Sequence, residues 1–182
     1  MIMKYIFSLL IVFSLVKINA QQTPADPQTQ TIVIGQGTAH IGNGEVIENS
    51  IIIIKDGKIN QIGKPSEVPP IEMKNVKLIN AKGKHIYPGF IAPNSTLGLA
   101  EIDAVRATRD EDEVGSFLPH VRSIIAYNTE SKVVESMRPN GVLMGQITPR
   151  GGRISGTSTI VQFDAWNWED AILKENDGIH MN

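Results

Sequence analysis

The pattern of apolar and polar positions changes character along this chain. Tyr5 to Val16 is apolar throughout except at Ser8 and Ser14, with Lys4 before it and Lys17-Ile18-Asn19-Ala20 after it. A positive start, a short apolar stretch and a small residue at the cleavage point make up the layout of a secretory signal. The stretch is too short to span a bilayer core of roughly 30 Å, which needs about 20 apolar residues. Residues 1–20 are therefore expected to be a signal peptide cleaved after Ala20. Residues 21–30, QQTPADPQTQ, then form a polar linker. The expected product is exported, periplasmic or extracellular, with no stable membrane anchor.

From residue 31 to 87 the pattern is that of short strands. Thr31-Ile32-Val33-Ile34 is β-branched, Ile47 to Lys55 follows, and Asp56-Gly57 joins it to Lys58 to Ile62. An Asp-Gly pair between β-branched runs predicts a two-residue hairpin, because both central residues must take positive φ. Val76 to Ala81 and His85 to Tyr87 are expected to pair across Lys82-Gly83-Lys84. Ile51 to Ile54 does not alternate, which predicts a strand covered on both faces.

After Tyr87 the period lengthens. Pro88-Gly89-Phe90-Ile91 is a turn entering an apolar strand, and Val121, Ile124 and Ile125 recur at helical spacing up to Asn128. Ser131 is placed to cap a second helix whose Val133, Val134 and Met137 share a face. Pro139-Asn140-Gly141 ends it, and Val142 to Thr148 reads as a strand, with Ile160 to Phe163 another. Strand, helix and strand in that order point to βα units of a parallel sheet or barrel over residues 88–182.

Composition narrows the chemistry. The chain has 182 residues, a net charge of -2 and no cysteine. Disulfides, thiol nucleophiles and zinc–thiolate sites are excluded together, and no electrostatic case for nucleic acid exists. Aromatic residues are 5% of the chain against 16 glycines, a balance that favours strands and turns.

One set of motifs carries a resemblance. Gly44, Ile47 to Ile53, Asp56-Gly57-Lys58-Ile59, Ile62-Gly63, Ala81-Lys82-Gly83 and Pro88-Gly89-Phe90-Ile91 occur in an order and spacing that resemble the N-terminal part of the amidohydrolase superfamily, its imidazolonepropionase-like members above all. The resemblance implies a fold of mixed β and α/β class: part of a composite β-sandwich over 31–87, then the first βα units of an incomplete TIM-type barrel over 88–182. It implies hydrolysis of carbon–nitrogen bonds of non-peptide or dipeptide type. It also implies a zinc-like divalent metal, held in the family by an Asp-x-His-x-His motif at the end of the first barrel strand.

At that position this chain has Ala92-Pro93-Asn94-Ser95-Thr96. Ala92 stands for the aspartate, and Asn94 and Thr96 stand for the two histidines. An amide oxygen and a hydroxyl are poor substitutes for imidazole at such an ion. No catalytic metal is therefore expected here, and the sequence assigns no catalytic residue. A full barrel needs roughly 250 residues, and about 90 follow Ile91. The reading is a fragment, inactive alone, with a second copy or an active paralogue as the expected partner.

Other candidates carry blander readings. Pro149 to Ser158 is a glycine-rich loop after a strand, and Gly151 to Gly156 has phosphate-loop spacing, but Thr157 stands where the lysine should be. Similar Gly-Gly-x-x-Ser-Gly stretches occur in imidazolonepropionase-like chains. Gly151, Gly152, Arg153, Ser155 and Gly156 are accordingly taken as a candidate substrate loop at the barrel mouth, with Arg150 or Arg153 facing any anionic ligand. Asp164, Glu169 and Asp170 flank Trp166 and Trp168, which suits either a glycan site or, better, indoles packed in a core with acids capping a helix start. Arg106, Arg109 and Asp110 to Glu113 read as a solvated charge run. His40, His85, His120 and His180 are far apart in sequence and form no His-x-His or His-x-x-x-His pair, so the sequence neither supports nor excludes a metal site built from them.

Two readings of other classes stand beside an incomplete amidohydrolase: a non-catalytic scaffold that pairs with an active paralogue, and a ligand-binding module built on Trp166 and Trp168.

Overall fold

The structure, a computed structural model, describes residues 24–70, 72 and 74–182. The expected signal peptide lies outside the described residues. Two sheets follow one another along the chain.

The first sheet contains β1 (Thr31–His40), β2 (Val46–Lys55), β3 (Lys58–Gly63), β4 (Val76–Asn80) and the short β5 (His85–Ile86). β2 and β3 pair antiparallel across Asp56-Gly57, whose φ values of 51° and 72° meet the requirement of a two-residue hairpin. β1 runs on for 10 residues, well past its β-branched start Thr31–Ile34, and it forms the spine of the sheet. Bulges at Gln36 (φ 67°) and Asn49 (φ 51°) interrupt its pairing with β2. Fully buried Ser50 donates from Oγ to the Gly37 carbonyl at 2.9 Å, satisfying an acceptor at the irregularity.

The expected pairing of Val76–Ala81 with His85–Tyr87 is corrected. Both β4 and β5 run parallel to β1, one after the other, with Thr31 opposite Val76 and Thr38 opposite His85. The Lys82-Gly83-Lys84 turn offsets the chain instead of reversing it. Ala81 N donates to Gly35 O at 2.8 Å and Thr38 N to Lys84 O at 3.0 Å, so β1 holds both sides of the turn.

The second sheet has the order β6 (Phe90–Ser95), β7 (Val142–Ile147), β8 (Ile154–Gln162), β9 (Ile172–Met181). β6 and β7 are parallel, joined by a crossover that ends in α1 (Lys132–Met137). Ser131 caps α1 as the sequence predicts, accepting from Val134 N at 3.3 Å. The helix expected over Val121–Asn128 is instead a single 3-10 turn, Ser123–Ala126. Only Ile124 of its apolar residues turns fully inward, while Ile125 stays 56% exposed, so no helical stripe is buried.

Beyond β7 the chain departs from a run of βα units. β8 and β9 return antiparallel, with α2 (Trp168–Ala171) a short turn between them, capped by Asn167 Oδ1 accepting from Asp170 N at 2.8 Å. The main core lies between this sheet and the crossover: Leu99, Ile124, Tyr127, Val134, Ile147, Val161, Phe163 and Ala171.

Candidate functional site

Because β6 and β7 are parallel, their C-terminal ends lie side by side, and polar groups of the second sheet converge there. Ala92 pairs with Gly145 and Ser95 with Ile147, so β6 carries one extra residue over this interval. Asn94 absorbs it at φ 48°. Such a bulge bends the strand and re-aims its side chains. Here it breaks the alternation that would put Asn94 and Thr96 on one face.

Asn94 faces β7. Its Oδ1 accepts from Arg150 Nη1 at 2.6 Å and from Thr148 Oγ1 at 3.0 Å, and its carbonyl accepts from Arg150 Nη2 at 2.7 Å. Arg150 Nη1 also donates to Thr148 Oγ1 at 2.9 Å. Thr148 is fully buried, and its N–H donates to Ser95 O at 2.9 Å. Thr96 lies past the strand end, where its carbonyl accepts from Leu99 N and Ala100 N and opens the crossover. The structure thus separates the two expected positions and joins Asn94 to Thr148 and Arg150.

The network continues across the sheet. Asn94 N–H donates to Gln146 Oε1 at 3.1 Å, and Gln146 Nε2 donates to Asp177 Oδ2 at 2.7 Å. Lys174 Nζ lies 2.8 Å from Asp177 Oδ1. Hydrogen bonds from Lys174 and then from Gln146 hold the Asp177 carboxyl below the usual carboxylate range.

Arg150 also anchors the crossover, since its N–H donates to Glu111 O at 2.6 Å. A cavity of about 480 Å³ opens there, with Leu99 and Leu118 among its apolar lining and Asp110, Glu111, Asp112, His120 and Arg122 among its polar lining. The expected solvated charge run is therefore partly enclosed. The Glu111 side chain is 11% exposed and pairs with Arg109, while Arg106 reaches Asp112 at 3.7 Å. Arg122 pairs with Glu175, and its buried Nε has no partner.

Of the expected glycine-rich loop, Gly151, Gly152 and Arg153 turn from β7 into β8 at this same end, whereas Ser155 and Gly156 are corrected to positions within β8. The loop enters a strand, so no helix N-terminus faces it and a phosphate-loop geometry is not formed. Ser155 Oγ donates to Gly151 O at 2.7 Å, and Arg153 N donates to Ser116 O at 2.8 Å. Gly156, at φ 127°, approaches Val121 O so closely that a Cβ has no room.

Trp168 packs on the main core, whereas Trp166 is 58% exposed. Asp164 pairs with Arg138 at 2.5 Å. Glu169 and Asp170 lie in the first turn of α2. Among the described residues no group of three or more His, Asp or Glu converges as for a metal ion. His40 and His85, distant in sequence, meet at 2.9 Å through the parallel pairing of β1 and β5. The sequence signal for Arg150 is its place in the loop three residues past the end of β7, but its contact with Asn94 depends on the neighbouring strand's bulge.

No protein-family model matches the chain, and no curated protein matches it in sequence. Among solved structures it is similar to an amidohydrolase from Thermotoga maritima MSB8, with a TM-score of 0.73, 23% identity and 82% of this chain covered. The match spans 38% of the length of that protein. A molinate hydrolase aligns at TM-score 0.32 and 31% identity over 38% of this chain and 15% of its own. A prolidase complexed with N-methylphosphonate-L-proline aligns at 0.44 and 19% identity over 64% and 25%. The first of these shows the fold alone: this chain folds like the aligned, sheet-rich part of that protein.

Proposed function

We propose that this chain is an exported, imidazolonepropionase-like relative of the amidohydrolases that act on carbon–nitrogen bonds. In this reading it does not hydrolyse them by itself and serves as a scaffold, completed by further chain, a second copy or an active paralogue. The fold of the Thermotoga protein and the order of turn motifs from Gly44 to Ile91 support the family. Residues 31–87 then correspond to part of the composite sandwich and 88–182 to the start of the barrel.

The observation that carries the inactive reading is the Arg150 guanidinium, 2.6 Å from Asn94 Oδ1. A hydrolytic divalent ion needs imidazole or carboxylate donors at about 2.0–2.2 Å and one open position for water. The residues at the end of β6 do not fit such an ion. Asn94 offers one neutral amide oxygen that already accepts two hydrogen bonds, Thr96 points its backbone into a turn, and a fixed cation sits where a second cation would have to enter.

An amidase and dipeptidase assay with added zinc or manganese, followed by metal analysis after dialysis, tests this. Background turnover is expected with and without metal. Turnover accompanied by stoichiometric metal, both lost in Asn94→Ala, would overturn it. Gain of metal only in the triple variant Asn94→His, Thr96→His, Arg150→Met would strengthen it.

A further inference from the structure

A different cluster, on the first sheet, has the geometry of a binding site. His40 ends β1 and His85 begins β5, and the parallel register sets Thr38 opposite His85 and Ala39 opposite Ile86. His40 Nε2 and His85 Nδ1 are 2.9 Å apart. The ring of Tyr87 stacks on His40 with centroids 4.3 Å apart and planes 9° from parallel. His85 is exposed and His40 half-buried, and Tyr87 stacks closely on His40 and more loosely, with centroids 6.3 Å apart, on His85.

We propose that His40 and His85 form a two-imidazole site for a first-row transition ion of tetragonal preference, Cu(II) or Ni(II). Neutral imidazole is the commonest protein ligand for such ions, and N-donor tetragonal sites favour Cu(II) and Ni(II). Two nitrogens each about 2.0–2.1 Å from one ion and roughly 90° apart are separated by about 2.9 Å. The observed 2.9 Å is the hydrogen-bond separation of the ion-free pair, so the choice of ion rests on the imidazole donors, for which Cu(II) stands highest in the first-row affinity order.

Without an ion, the ring centroids lie 5.2 Å apart and the planes are tilted by 35°, so the nitrogens face one another across a shared proton. The ion takes that proton's place. The proton moves to the other nitrogen of the same ring, and exposed His85 rotates so that both lone pairs converge. Water fills the remaining positions, since no carboxylate among the described residues joins the pair. Tyr87 covers one face of His40 and fixes its orientation, as outer-shell partners of metal-bound imidazoles do. The site shares no residue with the end of β6 and does not rest on the reading proposed for it.

The test uses the full untagged chain titrated with Cu(II) chloride in the presence of glycine as a weak competitor. One strongly bound equivalent is expected, with nitrogen hyperfine structure from two imidazoles in the electron paramagnetic resonance spectrum. His85→Gln should weaken binding by about 10- to 100-fold or more, the loss that even outer-shell changes produce. His120→Gln and His180→Gln should leave it unchanged. Because His85 is exposed, its replacement is not expected to unfold the sheet, and circular dichroism checks this. A spectrum of the unmodified chain without two imidazole nitrogens overturns the site, whatever the variants do. So does equal affinity in folded His85→Gln.

Discussion

The two sheets differ in how they bury their apolar residues. The second sheet packs Ile124, Val134, Ile147, Val161 and Ala171 to zero exposure, with the crossover and α1 laid over one face. The first sheet has more isoleucine per strand but a core cluster of only Ala39, Ile47 and Ile52, edged by half-buried Ile34, Ile54 and Ile86. Val33 and Ile53 are also buried, yet Ile59 and Leu78 remain 66% and 60% exposed. A groove of about 490 Å³ runs beside Val33, Ile51 and Leu78. The contrast teaches that strand-forming residues supply a sheet but not its cover. The second sheet obtains cover from its own crossover, and among the described residues the first has no helix of its own to lay across its strands.

The largest expected effect breaks the well-covered side. Gly156→Ala places a methyl group against Val121 O at a φ that L residues rarely adopt, and should cost on the order of 3 kcal/mol or more. Urea denaturation followed by the fluorescence of core-packed Trp168 measures it. Ile147→Ala should follow at about 3–4 kcal/mol, against about 2 kcal/mol for Ile52→Ala, whose thinner surroundings collapse more easily. Equal losses at the two positions would remove the contrast between the sheets.

Smaller effects sharpen it. Arg150→Met leaves Asn94 Oδ1 and the Asn94 carbonyl short of donors and should cost about 1–2 kcal/mol in the same denaturation experiment. The Asp177 carboxyl is depressed in the folded state, so its stabilising contribution is present above the ordinary carboxylate range and is lost as pH falls through the lowered value. A melting series from pH 6 downward should therefore fall more steeply for the parent than for Asp177→Asn. Smallest in stability is Leu78→Lys, within about 0.5 kcal/mol because the side chain is exposed. It should nonetheless reduce self-association in sedimentation, since a charge on an open apolar edge opposes pairing.

Local grammar was the legible part of the sequence. The Asp56-Gly57 hairpin, the Ser131 cap and the break at Pro139-Asn140-Gly141 depend on neighbouring residues only, and the structure forms each of them. What failed depends on distant pairing. Lys82-Gly83-Lys84 looks like a hairpin turn until β1 is long enough to pair with strands on both sides of it. β9 went unread because Lys174 to Gly178 is polar and mostly exposed, and Asn176 sits at φ 50° within it. At the end of β6 the residues Ala92, Asn94 and Thr96 were legible as candidate positions, but the bulge that turns Asn94 toward Arg150 was not. The meeting of His40 with His85 was hidden for the same reason as the β1–β5 pairing that causes it.

The grip of Arg150 on Asn94 has a consequence for the order of change at this position. A histidine introduced at 94 alone meets a guanidinium that previously held both the amide oxygen and the backbone carbonyl of that residue. The new imidazole then lies beside a positive charge, without the amide oxygen that charge was bonded to. Removing Arg150 first instead strips donors from Asn94 before any replacement arrives. Each single step is costly although the combined change need not be, so substitutions at 94 and 150 are expected to be strongly non-additive.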